Sequence, residues 1–207
     1  MVRQEVMRER LVDAALRLLA RGGHARLSVR DVTAEAGVNV AAVTTAFGGR
    51  SALLDALLAR VLEPVNRERA RRFGRLAATA DVEEVVRAFV EPLVVLHHEP
   101  AVAVRAVLAV VALDATADRR LLDRVLDDPG VGALTEELAL RRLVPAEEMT
   151  ERVRLAVGTV LAFSALSAGA DPSRDGGRER LIAFVAAGLR GARPAPDDRG
   201  PDAPGAR

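Results

Sequence analysis

The residues that most suggest chemistry are His97, His98 and Glu99, because imidazole and carboxylate groups are ligands that Zn²⁺ accepts. Adjacent histidines on a helix point about 100° apart, so the two cannot easily share one metal without a ligand from another element. A pair at a helix end beside Pro100 is the better interpretation. We therefore expect no metal site. The remaining histidine, His24, follows two glycines and is predicted to lie in a turn.

Motifs for catalysis are missing from the sequence. It contains no GxSxG, HExxH, Walker or dinucleotide-binding pattern. The acidic pairs Glu83-Glu84, Asp127-Asp128 and Glu147-Glu148 are typical of helix boundaries. With no cysteine there is neither a disulfide framework nor a thiolate metal site. We expect a protein that is not an enzyme and that needs no cofactor.

The charges are unevenly distributed although the net charge is only +1, and every basic residue is an arginine. Residues 1–75 contain fourteen Arg and eight Asp or Glu, a balance of +6, whereas residues 76–207 contain sixteen and twenty-one, a balance of −5. A basic N-terminal module followed by an acidic remainder is typical of a polyanion-binding protein with a second, different domain. Taken alone, chance clustering of solvated charges explains the pattern about as well.

The composition is that of a folded chain, with 207 residues, 50% hydrophobic and 29% charged. Charged residues interrupt the N-terminal segment, which therefore does not resemble a signal peptide. The longest apolar stretch, residues 101–113, contains Arg105 and is shorter than the ~20 residues that a membrane span requires. We expect a cytoplasmic protein with no membrane partner.

Almost every segment has the periodicity of a helix, and no run alternates clearly enough for a strand, so the predicted fold is all-α. Four N-terminal helices are expected: one from about Met7 closed by Gly22 and Gly23, one from a Ser28 cap to Gly37, one from Val40 to Phe47 capped by Asn39, and one from a Ser51 cap to about Arg72. Further helices are expected at residues 82–98 (with Asp81 and Glu84 as a capping pair and a kink at Pro92), 100–113, 118–126, 131–143, 145–168 and 178–190.

The order of these elements defines three regions. Residues 1–50 are predicted to form a three-helix, helix-turn-helix DNA-binding domain, with a connecting helix from about 51. Residues 51–190 are predicted to form a larger helical body. The last stretch, residues 191–207, is rich in Pro, Gly, Asp and Arg, and we expect it to be disordered.

Three segments carry a resemblance to a known family: "RLVDAALRLLARGG", "SVRDVTAEAGVNVAAV" and "FGGRSALLDALL", all between Arg10 and Leu58. Their order and spacing resemble the TetR family of bacterial transcriptional regulators. Beyond about Leu62 only helical content and length agree. The resemblance implies a DNA-binding head formed by the first three helices, a ligand-binding body and a homodimer.

The resemblance also implies which residues contact DNA. Family members often carry Tyr at the place of Thr44, His at the place of Ala46 and Lys at the place of Arg50, so this chain departs at the first two positions. We expect a weaker grip on phosphates and a weaker salt dependence. The remaining contacts are expected from residues at the two helix starts and on the outer face of the third helix, namely Ser28, Arg30, Asn39, Val40, Thr44, Thr45 and Arg50.

The body is expected to hold a ligand and a dimer interface, as in the family. The candidate pocket residues are Phe89, Leu93, Leu96, Val104, Leu108, Val111, Leu122 and Leu126, although each could equally fill the core. Since the chain has no Trp or Tyr, an aliphatic or compact ligand fits better than a large planar cation. The candidate interface residues lie on the last two helices and are Val153, Val157, Val160, Leu161, Ser164, Leu181, Ile182, Val185, Gly188 and Leu189.

We therefore expect a homodimeric regulator, most simply a repressor, that a small-molecule inducer displaces from a pseudo-palindromic double-stranded DNA operator. The alternative is a helical ligand-binding or scaffold protein of the same fold with weakened or lost DNA binding. The residues Thr44 to Ala46 favour the alternative, whereas the basic head, Arg30 and Arg50 favour the regulator.

Overall fold

The computed structural model describes residues 2–22, 28–95, 119–166 and 176–191. Within these ranges all regular structure is helical, which confirms the all-α prediction. The helices are α1 (Val2–Gly22), α2 (Val29–Ala36), α3 (Ala41–Phe47), α4 (Arg50–Phe73), α5 (Val82–Val95), α6 (Arg119–Leu126), α7 (Pro129–Leu140), α8 (Met149–Leu166) and α9 (Gly177–Arg190). In this part of the chain no helix has both the length and the apolar character needed to cross a membrane.

The N-terminal head consists of α1, α2 and α3 packed on one another. Its helices begin where short polar side chains can accept hydrogen bonds from the first free backbone amides. Ser28 caps α2 by accepting a hydrogen bond from the Asp31 amide at 3.1 Å. Gly37 ends α2 with φ 65°, a left-handed conformation that glycine adopts at little steric cost, and this turn directs the chain into α3.

The 24-residue helix α4 connects the head to the body. Its apolar residues recur three and four positions apart and form one buried stripe, which contains Leu53, Leu57, Val61, Val65 and Phe73. The helix contacts α1 and α3 of the head as well as α5 and α7 of the body. The division between head and body therefore falls within α4.

In the body, α5 lies between α4 and α9 and also packs on α7, while α8 packs on α7 and α9. Asp81 and Glu84 form the predicted capping pair of α5, each accepting a hydrogen bond from the other's amide at 2.9 Å. An exposed ion-pair network joins these helices. Its centre is Arg87 of α5, which pairs with Glu91 on its own helix and with Glu179 of α9 at 2.8 Å.

Several predicted boundaries were wrong. Ser51 does not cap α4, because the helix has already begun at Arg50 with Gly49 in the capping position. The helix predicted for residues 131–143 starts at Pro129 and stops at Leu140, since Arg142 turns the chain with φ 54°. The helix predicted from Pro145 begins only at Met149, after turns closed by bonds such as Glu148 N to Pro145 O at 3.1 Å.

Other predictions lie outside the described residues. These are the glycine Gly23, the end of the fifth helix at His98 with the neighbouring His97 and Glu99, the helix over residues 100–113, and the tail from residue 192.

Candidate functional sites

The outer surface of α2 and α3 is the candidate DNA-binding surface. Val43 and Ala46 of α3 are buried against the head, at 1% and 2% exposure, whereas Val40, Thr44 and Thr45 are exposed. Arg30, near the start of α2, is also exposed. The predicted contact residues Arg30, Asn39, Val40, Thr44, Thr45 and Arg50 therefore all reach the surface of the head, and Arg50 does so as the first residue of α4.

Asn39 and Ser28 have structural tasks that limit what they can offer to DNA. The Asn39 Oδ1 atom accepts a hydrogen bond from the Ala42 amide at 3.0 Å and thereby caps α3, which leaves its Nδ2 donors for a ligand. The Ser28 hydroxyl donates to the Asp31 carboxylate at 2.5 Å. This carboxylate already provides the negative charge that the start of α2 favours, so a phosphate at Ser28 would have to compete with it.

The two threonines of α3 differ in what they present. The Thr45 hydroxyl donates to the Ala41 carbonyl of its own helix at 3.0 Å, which leaves its methyl group as the outward contact. Thr44 is exposed and has no side-chain hydrogen bond within the described ranges. Because Ala46 is buried, a larger residue at that position would have to displace its neighbours, whereas a larger residue at Thr45 would project outward.

The sequence analysis did not predict that a side chain of α1 binds the C-terminal end of α3. Arg8 Nε donates to the Ala46 carbonyl at 2.7 Å, and its guanidinium lies 5.4 Å from the centre of the Phe47 ring. A cation at this point offsets the negative end of the α3 dipole. The position and orientation of α3 therefore depend on an α1 side chain that the charge pattern alone does not distinguish from its neighbours.

Ion pairs also join α1 to α2. Arg17 Nε donates to Glu35 Oε1 at 3.0 Å, and Arg21 pairs with the other carboxylate oxygen. The hydrogen bond from Arg17, followed by that from Arg21, lowers the pKa of Glu35 below its ordinary value.

The body contains a small cavity of about 20 Å³, enough for about one water molecule. Helices α4, α5, α7 and α8 and the segment around Val125 and Asp128 contribute its walls. Among the described residues the lining is Leu62, Arg69, Phe89, Leu93, Val125, Asp128, Val131, Val157, Val160 and Leu161.

The polar residues of this cavity form one cluster around Arg69, whose side chain is only 3% exposed. Arg69 Nε donates to the Phe89 carbonyl at 2.9 Å, and Nη1 donates to Asn66 Oδ1 at 3.0 Å. Asn66 Nδ2 in turn donates to both carboxylate oxygens of Asp128 at 3.0 Å. Burial lowers the pKa of Arg69 to about 10, and the negative charge of Asp128 partly offsets this effect.

Close packing holds the cluster in place. A Cβ atom on Gly130, in the first turn of α7, would lie 2.2 Å from Asn66 Oδ1 and 2.6 Å from Arg69 Nη1. Only glycine allows α7 to approach α4 this closely. On the other side, the Arg69 guanidinium carbon lies 3.8 Å from the centre of the Phe89 ring.

The comparison of the chain with known families agrees with the geometry of the head. Residues 11–57 match the family model described as bacterial regulatory proteins, tetR family. These residues run from α1 through the α2–α3 turn into the first part of α4. The head of the chain is therefore that of a TetR-family protein. The helix-turn-helix head and the larger helical body together have the fold of TetR-family transcriptional regulators.

Solved structures extend the likeness to the TetR-family body. A TetR-family member from Streptomyces coelicolor A3 is 26% identical, with a TM-score of 0.57 over 88% of this chain and 98% of that chain. The multidrug binding protein EbrR, complexed with imidazole, is 23% identical, with a TM-score of 0.60 over 93% and 97%. RolR in complex with resorcinol is 17% identical, with a TM-score of 0.63 over 89% and 87%. Comparison with curated proteins finds no match.

Of the predicted pocket residues, Phe89 and Leu93 line the cavity. Leu126 instead lines a surface groove with Asp123 and Thr150. The side chains of Leu96, Val104, Leu108, Val111 and Leu122 lie outside the described residues. The prediction missed Arg69 and Asp128, which are the charged members of the described cavity lining.

The residues predicted for the TetR-family dimer interface require a correction. Nine of them are buried within the chain's own core, each at 8% exposure or less, and so present no surface to a second copy: Val153, Val157, Val160, Leu161, Ser164, Leu181, Ile182, Val185 and Leu189. Three of the nine, Val157, Val160 and Leu161, line the cavity. Gly188 alone is exposed.

A different face of the same two helices is apolar and exposed. Leu155 of α8 is 65% exposed and Phe184 of α9 is 68% exposed. Small exposed residues accompany them on these helices, including Ala162, Ala187 and Gly188. We call this surface the outer α8–α9 face and define it by Leu155, Ala162, Phe184, Ala187 and Gly188.

Proposed function

We propose that this TetR-family regulator is a homodimeric repressor, which leaves a pseudo-palindromic operator when a small molecule binds in its body. The observation that carries the proposal is that α4 extends from the head to the cavity in the body. Ala52, Ala56 and Arg60 of this helix line a groove against α1 in the head, while Leu62 and Arg69 line the cavity. A ligand that enlarges the cavity must act on a helix that also supports the DNA-binding surface.

A contact between α6 and α4 supports the same coupling. Arg124 of α6 forms an ion pair with Asp55 in the second turn of α4, and its Nη1 lies 3.3 Å from the Ser51 hydroxyl. The neighbouring Val125 lines the cavity. Movement of α6 in response to a ligand would therefore reach the first turns of α4, next to the end of α3.

The outer α8–α9 face is the proposed dimer interface. Leu155 and Phe184 are large apolar side chains, and small neighbours such as Gly188 permit close approach of helices from a second copy. Two heads are needed because successive major grooves on one side of DNA are about 34 Å apart, and a two-fold dimer matches a pseudo-palindromic site.

The ligands of other TetR-fold proteins bear on the kind of molecule expected. RolR is complexed with resorcinol, and EbrR with imidazole or proflavin. The first two are compact molecules, and the cavity of this chain is small. We propose that the ligand is compact. We also propose that the protein acts by binding, without a catalytic step, and that it is located in the cytoplasm, where the DNA is.

Selection of bound fragments from a random DNA pool at low salt tests the proposal. The selected sequences should contain two related half-sites about one helical turn apart. Arg30→Ala should lower affinity by about 1–3 kcal/mol and relax the preference at one position of each half-site. Arg75→Ala, which removes an exposed arginine beyond the end of α4, is the matched control and should have no such effect.

The alternative is a ligand-binding or scaffold protein of this fold without useful DNA affinity. It gains support from α3, whose exposed face offers the methyl groups of Val40 and Thr45 in place of charged side chains. If the pool yields no enriched sequence and binding does not weaken with salt, this alternative replaces the repressor. Thr45→Tyr would then show whether an added outward side chain restores binding at low salt.

A further inference from the structure

Arg69 has more hydrogen-bond donors than the described residues accept. Its guanidinium carries five N–H groups. Nε–H is bound by the Phe89 carbonyl and one Nη1–H by Asn66 Oδ1, while the Nη1–Asp128 Oδ1 distance of 3.9 Å is too long for a hydrogen bond. Within the described ranges, Nη2 has no hydrogen-bond acceptor, and Arg69 lines the cavity.

The carboxylate beside Arg69 is already well compensated. Both Asp128 oxygens accept from Asn66 Nδ2, and Oδ1 also accepts from the Gly130 amide at 2.9 Å as the cap of α7. The positive end of the α7 dipole favours a negative charge at this place. The charge of Arg69 is therefore not needed to satisfy the hydrogen-bonding capacity of Asp128.

The other described residues that line the cavity are apolar. Leu62, Phe89 and Leu93 contribute from α4 and α5, and Val157, Val160 and Leu161 contribute from α8. Such a site offers hydrogen-bond donors at one end and apolar side chains elsewhere. It therefore favours a molecule with acceptor oxygens on a compact apolar body, and it disfavours a cation, which would lie beside the buried positive charge of Arg69.

We propose that the cavity binds a compact carboxylate, whose oxygens accept hydrogen bonds from Arg69 Nη2 while its aliphatic or small-ring body lies against the apolar walls. The proposal rests on the proposed function, since it specifies the ligand to which the regulator responds. A cavity of about 20 Å³ is far smaller than the ~300 Å³ or more of ligand pockets in general. Carboxylate binding must therefore enlarge the cavity, which would displace α4 from α5 and α7.

Calorimetric titration with matched probes tests the proposal. Hexanoate, hexanamide and hexylamine share one body, and benzoate, benzamide and benzylamine share another. At neutral pH the wild-type protein should bind at least one carboxylate about ten-fold more tightly than its matched amide, and should bind the amine most weakly. Equal affinity for the amide would overturn the carboxylate assignment, and tighter binding of the amine, or no binding of either carboxylate, would overturn the site.

Variants then locate the interaction. Asp128→Asn keeps an oxygen to cap α7 and removes a negative charge, so it should tighten carboxylate binding. Arg69→Gln combined with Asp128→Asn leaves no unpaired buried charge and should abolish the preference for carboxylate over amide. Arg141→Gln is the matched control, because Arg141 is also buried, at 8% side-chain exposure, but lies outside the cavity lining. If the double variant keeps the preference, Arg69 is not the recognition residue.

Operator binding in the same samples separates this proposal from the proposed function. If the protein binds its selected DNA but no carboxylate, the proposed regulatory function stands and the Arg69 site is refuted. If the protein binds carboxylate through Arg69 without releasing DNA, the proposed carboxylate site stands and ligand-driven release is refuted.

Discussion

Phe184 and Val185 are consecutive residues of α9 whose substitution by arginine should have opposite results. Phe184 is 68% exposed on the outer α8–α9 face, whereas Val185 is 3% exposed inside the core. Phe184→Arg should produce a folded monomer, because it replaces an apolar contact at the proposed interface by a charge. Val185→Arg should prevent stable folding, because it places an unpaired charge among apolar side chains such as Ile182 and Leu189.

The size of the effect follows from the exposed area. A phenylalanine side chain buries about 150–250 Å² when fully covered, so the open share of Phe184 is about 100–170 Å². At about 25 cal/mol per Å², covering it is worth about 2.5–4 kcal/mol in each copy as an upper estimate. Loss of even one such contribution would raise the dimer dissociation constant about 100-fold.

Sedimentation velocity over a concentration series, combined with thermal unfolding followed by circular dichroism, measures both outcomes. Leu140→Arg is the matched control, since Leu140 is 78% exposed on α7 and lies outside the outer α8–α9 face. It should leave both dimer and melting temperature unchanged. The reasoning fails if Phe184→Arg remains a dimer of unchanged affinity, or if Val185→Arg gives a stable helical monomer.

Three further predictions concern the head and the cavity. Arg8→Met should remove the hydrogen bond to Ala46, destabilise the head by about 1 kcal/mol and weaken operator binding about five-fold, as measured by fluorescence anisotropy. Gly130→Ala should lower the melting temperature, by loss of about 1–3 kcal/mol, because its Cβ has no room beside α4. Glu35→Gln should lower the melting temperature at pH 7, and the difference from wild type should disappear as the pH falls below 4.5. Because Arg17 lowers the pKa of Glu35 below its ordinary value of 4.5, the carboxylate stabilises the folded state above pH 4.5. This stabilisation is lost when the carboxylate of the folded state is protonated.

The head could be predicted from the sequence because its signals are local. Ser28 and Asn39 accept hydrogen bonds from amides three residues later, and Gly37 provides the left-handed turn where its position in the sequence indicates one. Each of these interactions depends on a few consecutive residues. The contact between Arg8 and Ala46 spans 38 positions, and nothing in the spacing of the arginines distinguishes Arg8 from the other basic residues of α1.

The proposed dimer surface could not be predicted, because apolar periodicity shows that a helix face is buried but not which surface covers it. On α8 and α9 the strongest apolar stripes, which include Val157 and Ile182, pack inside the chain. The exposed face contains only two large apolar residues, Leu155 and Phe184, among small ones. In a sequence with so much alanine and glycine, such a face does not differ from an ordinary solvated surface.

Arg69 was missed for a different reason. It lies in the segment "NRERARR", which is typical of a solvated helix face. One signal was nevertheless present, because Leu62, Val65, Arg69 and Phe73 are spaced by three or four residues and thus share one side of α4. An arginine at such a position must be buried with partners or must bind a ligand. Among the described residues, Asn66 and Phe89 accept only some of its hydrogen bonds.

The placement of Arg69 on α4 also bears on how this regulator can evolve. Residues of the proposed ligand site, such as Leu93 and Val160, lie on α5 and α8, away from the head. The candidate DNA-contact residues lie on α2, on α3 and at the start of α4, away from the cavity. Among the described helices, α4 is the one with extensive contacts to both regions, so we expect that a substitution in α5 or α8 can change ligand preference without altering the DNA-binding surface. A substitution in α4 near Leu62 changes a wall of the cavity and the support of the head together, and we expect it to affect ligand affinity and operator affinity in the same protein.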